Sequence, residues 1–193
     1  MALVTVKPTT FDKQVAKSIS EQTGPRLETA AQMLTWGADE HLLLAASAIV
    51  WLASRRSDRR IRQTATHCLV TTVAVSILPH VLKTLVDQER PDRESFAQHR
   101  RGIPCSGKPR DAFPSGHAMH MGALASFATL MPRRFRYKAW TAASILMATR
   151  VVLLAHWVTD VAAGFAAGVA LERTVRLWTR PRPIMRKHHG TAG

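Results

Sequence analysis

The amino-acid sequence predicts an all-α, integral-membrane helical bundle of about five to six helices, and three observations carry that prediction. Five apolar stretches, at about 38–53, 64–82, 115–131, 139–155 and 157–172, are each bounded by charge or proline. Almost none of them shows the charged stripe, recurring every three to four residues, that a soluble helix requires. The basic residues lie between the stretches instead, which is where membrane proteins carry them.

A chain of 193 residues is long enough for one compact domain. It is 46% hydrophobic, yet 27 Lys and Arg stand against 13 Asp and Glu, for a formal net charge of +14. Such a balance suits nucleic acid, anionic lipid or a phosphorylated substrate. Distribution decides among them: "SRRSDRRIR" (Ser54 to Arg62), "PRRFRYK" (Pro132 to Lys138) and "RTVRLWTRPRPIMRKHH" (Arg173 to His189) hold more than half of the positive charge and only Asp58 as an acid. A nucleic-acid binder spreads its charge over one exposed face, so no nucleic-acid partner is expected. Cys68 and Cys105 lack metal-ligand spacing and are read as unpaired. "MALVTVKPTTFDKQ" lacks the charged start and apolar core of a secretory signal, so no cleaved segment is expected.

Along the chain, residues 1–37 form a polar, mixed-charge segment with weak helical periodicity at Phe11, Val15 and Ile19, then Leu27, Ala31 and Leu34. It reads as an interfacial amphipathic helix or a loosely ordered tail. The first apolar stretch, "ADEHLLLAASAIVWLA", is marginal against the roughly 20 residues a span needs, but Trp36 and Trp51 near its ends favour a span over a buried or re-entrant helix. The second, third and fourth stretches reach acceptable spanning length, and the fifth is marginal. "MGALASFATLM" and "VAAGFAAGVALE" supply small residues that let membrane helices approach closely. Residues 38–176 are therefore expected to form the transmembrane catalytic domain, and 177–193 a basic cytoplasmic tail.

The three basic segments follow the first, third and fifth stretches, so they share one side, expected to be cytoplasmic. The loop from Lys83 to Phe113 and the turn around His156 then face outward.

The outward face carries the chemistry. "KTLVDQERP" (Lys83 to Pro91), "FPSGHAMH" (Phe113 to His120) and "TRVVLLAHWVTD" (Thr149 to Asp160) contain three cations, Lys83, Arg90 and Arg150, with His117, His156 and Asp160. Three cations at one membrane interface need an anion between them, and phosphate is the natural one. Arginine offers a planar fork and lysine a point charge. In "PSGH", proline begins a helix, Ser115 caps it and Gly116 permits close backbone approach, leaving N–H groups aimed at an anion. His117 in the first turn is placed to protonate a leaving oxygen. Asp160 follows His156 by four residues, so in a helical turn it would hydrogen-bond the imidazole, fix its tautomer and leave the other nitrogen free to attack phosphorus. His41, His67, His80, His99 and His120 are expected to be structural or solvent-facing, His120 being the best exception. Asp87, Glu89, Asp92 and Glu94 are read mainly as partners of Arg90, Arg93 and the nearby basic residues rather than as a metal cage.

The spacing KxxxxxxRP from Lys83 to Pro91, PSGH from Pro114 to His117, and RxxxxxHxxxD of Arg150, His156 and Asp160 resembles the three signatures of the type 2 phosphatidic acid phosphatase (PAP2) superfamily. The resemblance spans about 80 residues and implies a PAP2/haloperoxidase-like core. It further implies that Lys83, Arg90, Arg150, Ser115 and Gly116 bind phosphate, His156 forms a phosphohistidine, Asp160 orients it and His117 is the general acid, with no metal or other cofactor. Thr149 stands where the family pattern has Ser, and five stretches stand where membrane members commonly have six helices.

The expected function is that of a lipid phosphate or diphosphate phosphatase in the inner (plasma) membrane of a bacterium, with the site facing the periplasm and lipids as substrate and surroundings. Lipid phosphotransfer and a catalytically silent phospholipid-binding protein are the alternatives. A vanadate-dependent haloperoxidase is disfavoured, because those enzymes resemble larger soluble bundles. Which lipid phosphate is used, and the oligomeric state, stay open at this level.

Overall fold

The computed structural model describes residues 3–91 and 110–181 of the chain. Its helices are α1 (Thr10–Gln22), α2 (Pro25–Thr35), α3 (Glu40–Ala53), α4 (Arg59–Leu85), α5 (Gly116–Phe127), α6 (Arg133–Val152) and α7 (Val158–Thr179). Two short strands, β1 (Val4–Thr5) and β2 (Val86–Asp87), pair in parallel beside them. The five expected apolar stretches correspond to α3 to α7 in order.

Among the described residues, only α4 is long and apolar enough by itself to cross a membrane. The third stretch, expected to reach spanning length, is a 12-residue α5 followed by a 3-10 turn at Ala128–Leu130. The helical part alone rises about 18 Å. The fifth is longer than its apolar run: α7 continues past Glu172 to Thr179. Glu172 does not end the helix because its carboxylate is neutralised inside the bundle. It accepts from Arg176 Nε at 2.9 Å and from the Ser126 hydroxyl, and pairs with His67 Nε2 at 2.9 Å.

At the centre α5 packs most extensively against α7, with α4 and α6 alongside. Glycine makes the α5–α7 approach possible. A Cβ at Gly168 would collide with the Met119 carbonyl oxygen, and one at Gly164 with the Ser115 carbonyl oxygen. These two residues form a GxxxG face, through which helices gain backbone-to-backbone dispersion contacts that lipid does not provide. Val75, Met119 and Ala123 close one side of this contact, and Met121, Ala125 and Ala143 the other. Large apolar side chains such as Ile49, Ile77 and Ile145 point outward along α3, α4 and α6.

The N-terminal segment is ordered as two helices. Its expected apolar period is only partly its buried face: Ala31 is buried and Val15 and Ile19 are half-buried, but Phe11, Leu27 and Leu34 are exposed, and Asp12, Ala16 and Thr35 turn inward instead. α2 lies against the end of α6, where Ala31 meets Leu153 and Ala155. α1 is capped by Thr9, whose hydroxyl accepts from Asp12 N–H. Asp12 in turn reaches across to the start of α7.

Candidate active site

The chain direction brings four helix ends to one side: the C-termini of α4 and α6 and the N-termini of α5 and α7. The loops rich in arginine, before α4 and around the start of α6, lie at the opposite ends of these helices. A cavity of about 270 Å³ opens between the four ends, and Lys83, Arg90, Arg150, Gly116, His117 and His156 all line it. Ser115 and Asp160 sit directly behind, both fully buried.

Local structure explains each position. Ser115 is the N-cap of α5, its hydroxyl accepting from Ala118 N–H at 3.4 Å and its own N–H donating to Asp160 O at 3.2 Å. The nearest atom to a Cβ added at Gly116 would be Pro79 of α4 at 3.6 Å, an ordinary contact. No crowding by the protein therefore demands glycine there. α6 ends in a Schellman motif: Ala155 N–H donates to Arg150 O at 3.1 Å and Leu154 N–H to Val151 O at 3.0 Å. The left-handed position falls on Leu154, with φ 51°, where glycine is usual. Leu154 is held there by burial with Trp157, Ala16 and Ala112. The motif turns the chain within five residues, so that Arg150 and His156 face the same cavity.

The hydrogen bond expected between His156 and Asp160 is made elsewhere. His156 Nδ1 lies 2.7 Å from the Ala112 carbonyl oxygen and 3.8 Å from Asp160 Oδ2. A carbonyl only accepts, so Nδ1 carries the proton and Nε2 the lone pair. The reason is the backbone: α7 begins at Val158, so His156 precedes the helix and a four-residue spacing does not stack the two side chains. Asp160 Oδ2 accepts instead from Trp157 N–H at 2.9 Å, closing the first turn of α7. Burial, then the positive charges of Arg90, Arg150 and Lys83, hold the His156 imidazole well below the ordinary histidine value, outweighing the Ala112 bond. The ring is neutral at physiological pH.

The cations are not equally available. Arg90, only 3% exposed, donates through Nη1 to Ala155 O at 3.0 Å and through Nε to Asp111 Oδ1 at 2.9 Å. Arg150, 6% exposed, donates through Nη1 to Thr35 Oγ1 at 3.1 Å, while its buried Nε has no partner among the described residues. Lys83 Nζ is 3.7 Å from Asp111 Oδ2.

Four contributors were not visible in the sequence. Asp111 pairs with two of the cations. The Ala112 carbonyl holds the His156 tautomer, and its N–H donates to Gln88 O at 3.1 Å, tying it to the strand that leads to Arg90. Thr35 reaches Arg150 from α2. Asp12 of α1 accepts from Thr159 N–H at 3.0 Å and Thr159 Oγ1 at 2.8 Å, capping α7 from 147 residues away. Residue type alone marks none of these, although a carboxylate four residues before Ser115 was a signal.

Of the other histidines, His120 lines the cavity and pairs with Ser76 Oγ at 3.3 Å. His80 also borders the cavity, with a largely exposed side chain. His67 is buried against Glu172, and His41 is exposed. Asp87 pairs with Arg110 at 3.7 Å. Asp92, Arg93, Glu94, His99 and Cys105 lie outside the described residues, and Cys68 is a free thiol.

The model of the PAP2 superfamily matches residues 64–184. The chain is 40% identical over 103 residues to a lipid A 1-phosphatase of Rhizobium etli, covering 52% of this chain and 44% of that protein. It is 38% identical over 100 residues to a lipid A 1-phosphatase of Rhizobium johnstonii, covering 51% and 41%. The matched regions thus span less than half the length of these relatives. In fold it is similar to a transmembrane PAP2-type phosphatidylglycerolphosphate phosphatase from Bacillus subtilis, with TM-score 0.69 and 21% identity over 92% of this chain and 88% of that one. The Aquifex aeolicus LpxE structure is similar too, with TM-score 0.66 and 14% identity over 91% and 98%.

Proposed function

The chain belongs to the PAP2 superfamily, and from that premise we propose that it is an integral-membrane lipid phosphate or diphosphate phosphatase working through a phosphohistidine on His156. The observation that carries the reading is the Nδ1–H bond to the Ala112 carbonyl, which leaves Nε2 unprotonated in a neutral imidazole bordering a cavity lined by three cations.

In the first step Nε2 attacks phosphorus, the P–O bond to the lipid breaks and His117 protonates the departing oxygen. Lys83, Arg90, Arg150 and the N–H groups at the start of α5 balance the charge on the other phosphoryl oxygens. The phosphorylated ring keeps its Nδ1 proton and is cationic. Ala112 retains that proton, and the Asp160 carboxylate at 3.8 Å balances the new charge. In the second step His117, now neutral, takes a proton from water as the water attacks phosphorus. Inorganic phosphate leaves and the Nε2 lone pair is restored.

No step calls on a metal. The residues that carry the chemistry lie at one end of the bundle and the basic loops at the other, which supports a site opening to the periplasmic side of a bacterial inner membrane. A lipid substrate would present its phosphate there and keep its chains beside the exposed apolar faces of the helices. Residues 38–176 act as the catalytic domain, with α1 and α2 bracing it; of the expected cytoplasmic tail at 177–193, the first three residues continue α7 and 182–193 lie outside the described residues.

Phosphate release by the purified protein in detergent tests the reading, with lipid A, phosphatidate, phosphatidylglycerophosphate and polyprenyl diphosphate as substrates. Lipid A heads the panel because the relatives from Rhizobium act at its 1-phosphate. We expect release from at least one lipid with no acceptor added and with chelator present. Phosphate that appears only when an acceptor lipid is supplied would favour transfer, and a strict Mg²⁺ requirement would contradict the mechanism.

A further inference from the structure

We propose that Asp111 is an internal counter-ion that holds the phosphate-binding cations when the site is empty and competes with phosphate for them. The inference rests on reading the cavity as a phosphate site. Three cations converging on a partly desolvated cavity repel one another unless an anion lies among them. The protein itself supplies such an anion. Asp111 Oδ1 accepts from Arg90 Nε at 2.9 Å and Nη2 at 2.8 Å, and Oδ2 lies 3.7 Å from Lys83 Nζ. The carboxylate borders the same cavity as Arg150 and His156, and its side chain keeps 21% of its surface exposed.

A phosphate dianion entering the cavity must therefore take over donors that a carboxylate already uses, and it meets that carboxylate's negative charge. Arg150 is the cation left for it, since the buried Nε has no partner among the described residues. The consequence falls on what substrate and product share. Tight ground-state binding of the phosphate group does not raise turnover and slows release of inorganic phosphate, so an opposing charge relieves product retention. A role confined to holding Arg90 in place predicts the opposite sign. Loss of the charge would then disorder a phosphate ligand and weaken binding.

Calorimetric titration of inorganic phosphate into the purified full chain in detergent separates the two. Asp111→Asn keeps an oxygen for the Arg90 N–H groups while removing the charge. Asp111→Ser, at the same partly exposed position, is a second variant should the first fold poorly. We expect both to bind phosphate about tenfold more tightly than the wild type, a modest effect for removing one like charge from a binding site. Product inhibition should strengthen in proportion. Unchanged or weaker binding in the variants overturns the counter-ion role. Absence of phosphate binding in wild type and variants alike overturns it together with the phosphate reading of the cavity. Phosphate release from lipid by the same preparations reports on the phosphatase reading separately.

Discussion

At the scale of single residues, the proposed chemistry turns on which group holds the His156 proton. Ala112 O at 2.7 Å does so, with Asp160 at 3.8 Å in a charge-balancing position. Asp160→Asn should therefore keep the tautomer and lower kcat by about a hundredfold, in the range of losing one electrostatic stabiliser, with KM little changed. A loss as complete as that of His156→Ala would mean that the carboxylate takes over Nδ1 during turnover. Titration offers a second check. Burial and three nearby cations favour the neutral ring, so the acid limb of kcat/KM belonging to His156 should lie below pH 6.5. An unshifted imidazole would be about three-quarters protonated at pH 6. Activity at pH 6 close to that at pH 7.5 is expected, and a fall to about a quarter between them would contradict the shift.

At the scale of elements, two contacts set where these residues stand. The GxxxG face of α7 lets α5 approach until the Ser115 N–H reaches Asp160 O. Gly168→Ala puts a methyl group against the Met119 carbonyl, a backbone atom that no rotamer change can move. It should destabilise the bundle by about 1–3 kcal/mol, as overpacking does, read as a lower Tm in detergent with a parallel loss of activity. The other contact is the cap on α7 supplied by α1. Burial raises the Asp12 pKa, but hydrogen bonds from the backbone and hydroxyl groups of Thr159 and Thr9 outweigh it and hold the carboxyl below its ordinary value of 3.8. A folded-state pKa below the unfolded one contributes stability above about pH 4, lost as pH falls through the lowered value. Asp12→Asn should cost about 1 kcal/mol at pH 7, as loss of a helix cap does, and lose less stability than the wild type between pH 4 and pH 2. Parallel acid unfolding curves would count against the cap.

For the molecule as a whole, the signatures were legible because each sits at a helix end and its spacing is local: Lys83 with Arg90, Ser115 with His117, Arg150 with His156. The order of α3 to α7 was legible for the same reason, from apolar runs broken by arginine. Residues paired across long stretches of chain were not. Asp12 meets Thr159, Thr35 meets Arg150 and His67 meets Glu172 only after the bundle closes, and nothing in their own neighbourhoods announces the partner. Glu172 looked like the end of an apolar run because its neutralising partners His67 and Ser126 lie on α4 and α5. The four-residue spacing of His156 and Asp160 predicts a hydrogen bond only in a helical turn, whereas the chain at His156 is the exit of a Schellman motif.

The central claim is covalent, and trapping the intermediate tests it most directly. Purified protein is mixed with lipid substrate carrying labelled phosphate, quenched in alkali within milliseconds and mapped by mass spectrometry. One acid-labile, base-stable phosphoryl group on His156 is predicted, absent from His156→Ala. A label on another residue, or phosphate release by His156→Ala within about tenfold of wild type, would contradict it, because losing a covalent nucleophile costs far more than that.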